Sequence, residues 1–517
     1  MSGTSHGGWQ DGYVTEIGYT YGYYPELNPA RLGLAATLAG IGHTVPEAPS
    51  YLELGFGQGV SINIHAAARP GTFWGTDFNA AQAGFAQSLA RAAGSGAQLF
   101  DRSFAEMAAR DDLPEFDVIA LHGIWTWISD ENRAHIVDIA RRRLRPGGLF
   151  YVSYNVTPGW SPNMPLRHLM TEHARLASSG GMQRRIDAAL EFAKSLADAD
   201  AAYFRANPGA KARLEQISGQ NRNYLAHEYM NASWDVMPFS KTAGMLAEAK
   251  LDFAASAHLL DHVDPINLSE AAQKVLAGIE SAELRQTARD YFVNQQFRRD
   301  VFVKGARRLS ALEQARTLRR QPFVLVTTPE AVALKTNGAL GEVTLNEDVY
   351  APIVAALAEN GHAPRTIDDL AQVPACAQLT HAQFVQALTV LCGKGDVAPA
   401  QEAQAAKAQT KAAQALNAAL CAQAETSSDV TTLAAPTTGA GIPVGRFEQL
   451  FLRGLATRQK DVPGWVWNVL NIQNQRLVRE GQTIESQEDN LAELTRQYEA
   501  FCKARLPILQ RLGVTAR

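Results

Sequence analysis

Cysteine is scarce in this chain, and that scarcity excludes several chemistries at once. Only Cys376, Cys392, Cys421 and Cys502 occur, far apart and with no CxxC pair. Neither a zinc site nor a disulfide framework is expected, and a reducing compartment is the simpler reading. Long apolar runs are missing too. No stretch approaches the ~18 residues of a membrane-spanning helix, and the opening MSGTSHGGWQ has no apolar signal core, so the expectation is a cytoplasmic protein with no membrane span. Charge of one sign is not in excess: the formal net charge is −4 over 517 residues. That balance gives no support to nucleic acid or a membrane surface as a partner. The HExxH zinc pattern is also absent, because His227-Glu228 is followed by Asn231 where the second histidine would stand. No metal is expected.

What is present is an ordinary globular composition, 46% hydrophobic and 19% charged, in a chain long enough for two to four domains. Tyr13, Tyr19, Tyr21, Tyr23 and Tyr24 crowd the first fifty residues, as a lid over a site or as a packed arm. A helix is expected over 29–40. From Tyr51 a regular alternation begins, with strands at 51–54, 72–76, 97–100, 116–121 and 148–154 and helices at 59–68, 79–93 and 130–144. The last helix is expected to stop at the RPGG of 145–148. Such alternation predicts βαβ units in a parallel, doubly wound sheet. Residues 160–240 interrupt the rhythm with helical, polar-faced sequence. It resumes with a helix and strand at 240–259 and a further strand at 297–305, which together make seven strands. The stretch from Arg298 to Arg320 is strongly basic, and a solvated interdomain helix is the default for it. Beyond 321 a short strand, three helices and a strand suggest a winged-helix-like module, read as an interaction unit in preference to a DNA binder. An Ala/Gln-rich stretch, a loop over 425–445 and closing helices complete the chain.

The segment YLELGFGQG, residues 51–59, carries the chemistry. Glu53 ends an apolar run, and Gly55, Gly57 and Gly59 follow at every second position. A nicotinamide or flavin site wants G-x-G-x-x-G, but Ile62 stands where the last glycine of a frame on Gly57 belongs. An acid two residues before the first glycine suits a cationic amino-acid group better than a phosphate. A second acid, Asp77, ends the next strand, where it would bridge two ribose hydroxyls or cap the following helix. Together Glu53, the glycine spacing and Asp77 point to S-adenosyl-L-methionine.

ELGFGQG, GTDFNAAQ, LHGIWTWIS, RPGGLFYVSYNVTPGW and NYLAHEYMN together resemble the class I S-adenosylmethionine-dependent methyltransferases that carry a methyltransferase regulatory domain. Bacterial outer-membrane-protein lysine methyltransferases of rickettsial type are similar in layout. The resemblance implies a Rossmann-like methyltransferase domain over 1–320, with the insertion at about 160–240 and a regulatory segment at about 215–305. The C-terminal third, read from its own pattern as a module over 321–400 and a mainly helical region over 401–517, resembles the same multidomain group loosely. The resemblance assigns Glu53, Gly55, Gly57 and Gly59 to the methionine side of the cofactor, Asp77 to the ribose and Phe78 to the adenine. Ser103 and Phe104 fall at the adenine edge, where a serine replaces the usual acid and Asp101 is a less well placed alternative. His122 falls next to the transferred methyl. No NPPY-type tetrapeptide is present, which weakens a DNA-base substrate.

Methyl transfer from a sulfonium is an in-line displacement that needs alignment and a competent nucleophile. Trp125, Trp127, Tyr154 and Asn155 fall at the C-terminal ends of the fourth and fifth strands, where ligands of open α/β sheets bind. They are the substrate-pocket candidates, with core packing the competing reading for the tryptophans. No catalytic residue is assigned, and no carboxylate is visible beside His122. The first expectation is N-methylation of protein lysine, with a homodimer through the insertion. O-methylation of a glycan or metabolite and a non-catalytic binding protein are the alternatives.

Overall fold

The structure is a computed structural model that describes residues 20–177 and 179–516. Its centre is a seven-stranded sheet built from β1 (Ser50–Leu54), β2 (Thr72–Thr76), β3 (Gln98–Phe100), β4 (Phe116–Leu121), β5 (Leu144–Asn155), β6 (Leu251–Ser256) and β7 (Phe297–Lys304). The strand order is β3-β2-β1-β4-β5-β7-β6, with β7 antiparallel to both its neighbours and the other adjacent pairs parallel. FDVIAL of β4 is buried at all six positions. Apart from Asp117, which pairs with Arg145, the strand is apolar throughout, the pattern of a parallel sheet covered on both faces.

One face packs against α1 (Pro29–Leu38) and the module beyond residue 321, through Tyr51, Val118, Tyr151 and Val301. The other packs against α5 (Asp130–Arg143) and the helix Phe239–Ala247, through Leu52, Ile119, Phe150 and Phe302. Between strands lie α2 (Val60–Ala68), α3 (Ala80–Ala93) and the short α4 (Phe104–Ala108). Every residue of α2 is buried. Its sequence VSINIHAAA carries no Asp, Glu, Lys or Arg because the helix is held between the sheet and the long Ala/Gln-rich helix Ala403–Gln423.

The expected strands and the insertion between the fifth and sixth of them are present. Five helices between Met164 and Tyr229 surround their own core of Trp160, Leu166, Ile186, Leu214 and Tyr229. Several local expectations are corrected. RPGG does not separate helix from strand: β5 begins at Leu144 and runs through it, absorbing Pro146-Gly147-Gly148 where its register against β4 slips after Phe116. The loop expected at 425–445 contains a hairpin, Thr432–Ala435 with Ala440–Pro443. In the module three helices lie between strands as expected, but no wing hairpin follows the third. Strand Val397–Pro399 instead pairs back to Phe323–Leu325, and the hairpin Lys335–Thr344 precedes the helices. The basic stretch is internal only in its strand part, whereas Arg307, Arg308, Arg316, Arg319 and Arg320 are exposed, the last three on the helix Ala311–Arg320, as expected of a solvated helix. Arg298 is buried between Asp290 and Asp300, Arg299 pairs with Glu26, and Lys304 donates to the Arg141 and Leu144 carbonyls at the end of α5. Among the described residues no helix is long and apolar enough to cross a membrane.

Candidate functional site

The strand order reverses between β1 and β4, and the crevice at that switch point is where open α/β sheets bind ligands. A cavity of about 320 Å³ occupies it. Glu53, Gly55, Gly57, Asp77, Phe78, Ser103, Phe104, His122 and Trp127 all line it, so residues up to 74 positions apart in sequence converge on one space.

The glycine turn is shaped by backbone strain that only glycine tolerates. Gly55 has φ +73° and Gly57 φ +58°. A Cβ on Gly55 would meet Ile124 Cδ1 at 2.5 Å. The Gly57 N–H donates to Asp77 Oδ2 at 2.8 Å and the Asn79 N–H to Asp77 Oδ1 at 3.0 Å. Asp77 therefore ties the first turn to the second, while Asn79, not Asp77, caps α3. Burial pushes Asp77 up to about 6 against these two donors. Among the described residues the Glu53 carboxyl accepts only the Tyr51 hydroxyl, at 2.9 Å, and burial pushes it up to about 8. It is an acid with one neutral partner, able to ionise when a cation arrives. Gly59 does not reach the cavity. It is the N-cap of α2 at φ +68°, and a Cβ there would meet Ala86 Cβ at 2.4 Å, so it sets how closely α2 approaches α3.

Ser103 lines the cavity, but its hydroxyl is committed to a capping box with Glu106 at the start of α4. Asp101 is exposed and lies off the cavity.

At the end of β4, His122 Nδ1 lies 2.8 Å from the Tyr151 hydroxyl, and Tyr24 stacks on the ring at 3.9 Å between centroids. Burial lowers the imidazole to about 4; Glu26 opposes this and Arg299 adds to it. Of the aromatic candidates only Trp127 lines the cavity, and its indole N–H has no partner among the described residues. Trp125 points the other way, fully buried in the core, with its carbonyl accepting from Arg133 Nε at 2.9 Å. Tyr154 donates to Asp300 Oδ2 at 2.7 Å in the buried Arg298–Asp290–Asp300 cluster, and Asn155 is buried off the cavity. The 3-10 turn Trp125–Trp127 separates the two tryptophans, since residues two apart on it face different directions.

Several cavity residues escaped the sequence reading. Glu131, Asn132 and His135 come from the first turns of α5, whose cap Ser129 accepts from the Asn132 N–H at 3.2 Å. The polar run SDENRAH after strand four was a usable signal. Glu26, which lies off the cavity but acts on His122 and is ion-paired to Arg299 at 3.0 Å, had none. Of the tyrosine-rich start, Tyr13 and Tyr19 lie outside the described residues. Tyr24 walls the cavity, Tyr23 donates to neither strand nor turn of the site but is bonded by the Gly441 N–H at 2.8 Å, and Tyr21 packs edge-on against Phe85. The segment is thus part wall and part packed arm. His227 and Glu228 sit in the insertion.

Comparison with known proteins agrees with this geometry. Residues 52–148 match the family described as "Methyltransferase domain", and residues 221–304 match "Predicted methyltransferase regulatory domain". An uncharacterized protein of Synechocystis, sll1526, is 41% identical over 510 residues, covering 98% of this chain and 100% of that protein. An uncharacterized protein of Rickettsia prowazekii is 28% identical over 230 residues, 42% of this chain and 41% of its own length. Among solved structures, PKMT2 from Rickettsia typhi in complex with AdoHcy shares the fold with a TM-score of 0.70 at 17% identity, over 96% of this chain and 100% of that one. The chain belongs to the class I S-adenosylmethionine-dependent methyltransferases that carry a methyltransferase regulatory domain, and S-adenosylmethionine is its cofactor.

Proposed function

We propose that the enzyme N-methylates lysine side chains of a protein. The observation that carries this reading is the wall at the end of β4, where a half-buried, neutral His122 stands beside Tyr24 and Trp127 with no carboxylate hydrogen-bonded to it among the described residues. A lysine amine must lose its proton before it attacks, and a desolvating aromatic wall lowers its pKa. A hydroxyl acceptor would instead require a general base. The carboxylate whose charge acts on His122, Glu26, is engaged by Arg299. The name of the Rickettsia typhi protein denotes a protein lysine methyltransferase, and that protein shares the fold over nearly the whole chain.

The cofactor supplies the sulfonium methyl group. Glu53, buried with a single neutral partner, fits an incoming ammonium, and the turn at Gly55 and Gly57 fits an extended chain laid along it. Asp77 retains acceptor capacity for ribose hydroxyls. Phe78 and Phe104 would flank the adenine with Ser103 at its edge, and His122 would stand nearest the reacting methyl. Gly59 acts through packing.

The insertion and the regions 321–400 and 401–517 offer surface for a protein substrate, and the insertion is the proposed homodimer contact. The domain boundaries at about 320 and 400 belong to the same proposal, as does a cytoplasmic location, with which four free cysteines, three of them buried, are in keeping. Incubation with methyl-labelled cofactor and cell extract tests the substrate class. Label recovered as methyl-lysine in protein is expected; label on a glycan or on a small-molecule oxygen would replace this reading with O-methylation.

A further inference from the structure

We propose that a buried relay of hydroxyl groups fixes His122 as the neutral Nε2–H tautomer, so that it serves the cavity as a hydrogen-bond donor to an oxygen atom and not as a base. The direction of the relay follows from its first member. The Gly123 N–H can only donate, and it donates to Ser153 Oγ at 2.8 Å. The Ser153 hydroxyl hydrogen is then free, and in the proposed relay it is donated to the phenol oxygen of Tyr151, two residues along the same strand. Tyr151 accepts there and still has its own hydrogen to place. Ser153 and Tyr151 are both fully buried, so an unplaced hydrogen would be costly. The one acceptor recorded for it among the described residues is His122 Nδ1, 2.8 Å away.

Nδ1 is thereby an acceptor, and in a neutral imidazole the hydrogen must sit on Nε2. An imidazolium, or the Nδ1–H tautomer, would point two hydrogens at each other across that 2.8 Å contact. The surroundings agree. Tyr24 stacks on one side of the ring, Phe297 meets it edge-on at 5.9 Å, and the nearby Glu26 and Arg299 neutralise each other. His122 lines the cavity, and Nε2 has no hydrogen-bond partner among the described residues. A base would need its lone pair on the cavity side; the relay puts it on the Tyr151 side.

The oxygen that Nε2–H holds is a carboxylate or carbonyl oxygen of either the cofactor or the acceptor substrate. Ser153 and Tyr151 are positioning residues that act through His122. The exclusion of a base role deepens the amine reading and rests on it for its consequence, whereas the tautomer itself stands apart from which acceptor is used.

Long-range 1H–15N spectra of the full chain labelled at histidine test the tautomer directly. The His122 signals are those lost in His122→Gln. A single Nε2–H pattern at pH 7 is expected, and Tyr151→Phe should convert it to a mixture of both tautomers. An Nδ1–H or imidazolium pattern in the wild-type chain overturns the proposal, whatever the acceptor proves to be. Gln places an amide N–H near the Nε2 position and Asn does not. His122→Gln should therefore stay within about threefold of wild type, while His122→Asn loses about tenfold, the worth of one hydrogen bond. If the loss is in S-adenosylhomocysteine affinity, the oxygen belongs to the cofactor. If it is in kcat/KM for the acceptor alone, the oxygen belongs to the substrate. Equal and complete loss in both variants would refute the donor role. Methyl label on an acceptor oxygen together with an Nε2–H pattern would sink the amine reading while supporting the relay.

Discussion

Gly59→Ala separates two roles that a glycine in a cofactor loop can play. The residue sits at φ +68°, ψ 20°, a left-handed conformation that costs a residue with a Cβ about 1–2 kcal/mol. The added methyl would also lie 2.4 Å from Ala86 Cβ, well inside van der Waals contact, while the Ala86 Cα is 3.4 Å away. Relieving that overlap requires α2 and α3 to move apart, and α2 is buried on all sides. Overpacking of this kind costs about 1–3 kcal/mol. The expected loss is therefore about 2–5 kcal/mol, divisible into strain and overlap. Ala86→Gly removes the opposing methyl at the cost of about 1 kcal/mol for a helical glycine. In that background Gly59→Ala should cost only the strain, giving a coupling of about 1–3 kcal/mol in the double-mutant cycle. Native-state hydrogen exchange on α2 is the appropriate assay, because a chain of this size need not unfold in one step. A coupling below about 0.5 kcal/mol would refute the packing argument. So would a Gly59→Ala protein of unchanged stability that no longer binds S-adenosylhomocysteine, which would return Gly59 to the ligand.

Three other outcomes are expected. Asp77→Asn should weaken S-adenosylhomocysteine binding by about 1.5–3 kcal/mol in calorimetry, the scale of hydrogen bonds to a charged group; an unchanged Kd would remove Asp77 from the ribose. Glu53 has its folded pKa raised to about 8 by burial, so its contribution to stability is present at low pH and is lost as pH rises from its unfolded value near 4.3 through 8. Glu53→Gln should accordingly stabilise the ligand-free protein at pH 8.5 by on the order of 2 kcal/mol more than at pH 5.5 while weakening ligand binding; an equal thermal shift at both pH values would contradict the burial argument. Trp125→Phe, in the core, should lower stability by about 2 kcal/mol and leave kcat/KM per folded molecule nearly unchanged. Trp127→Phe, on the cavity wall, should lower kcat/KM by about tenfold through its lost N–H; the reverse pattern would exchange their roles.

The sequence by itself determined the sheet and the cofactor. Apolar runs ending in Glu53 and Asp77, alternating with helices of ten to fifteen residues, admit few arrangements, and the spacing of Gly55 and Gly57 is a property of the local backbone. Residues whose role is set by neighbours a few positions away were legible for that reason. Which aromatic side chains face the cavity was not, because a single 3-10 turn sends Trp125 into the core and Trp127 to the wall, and no periodicity in LHGIWTWIS marks it. Tyr154 was drawn away by Asp300, 146 residues further along the chain. Glu26 and Tyr24 reach His122 across nearly a hundred residues, and Gly59 is explained by Ala86 on another helix. Tertiary structure alone decided these pairings, because a buried polar group or methyl takes its partner from whatever the packed chain brings within contact, at no fixed distance in sequence.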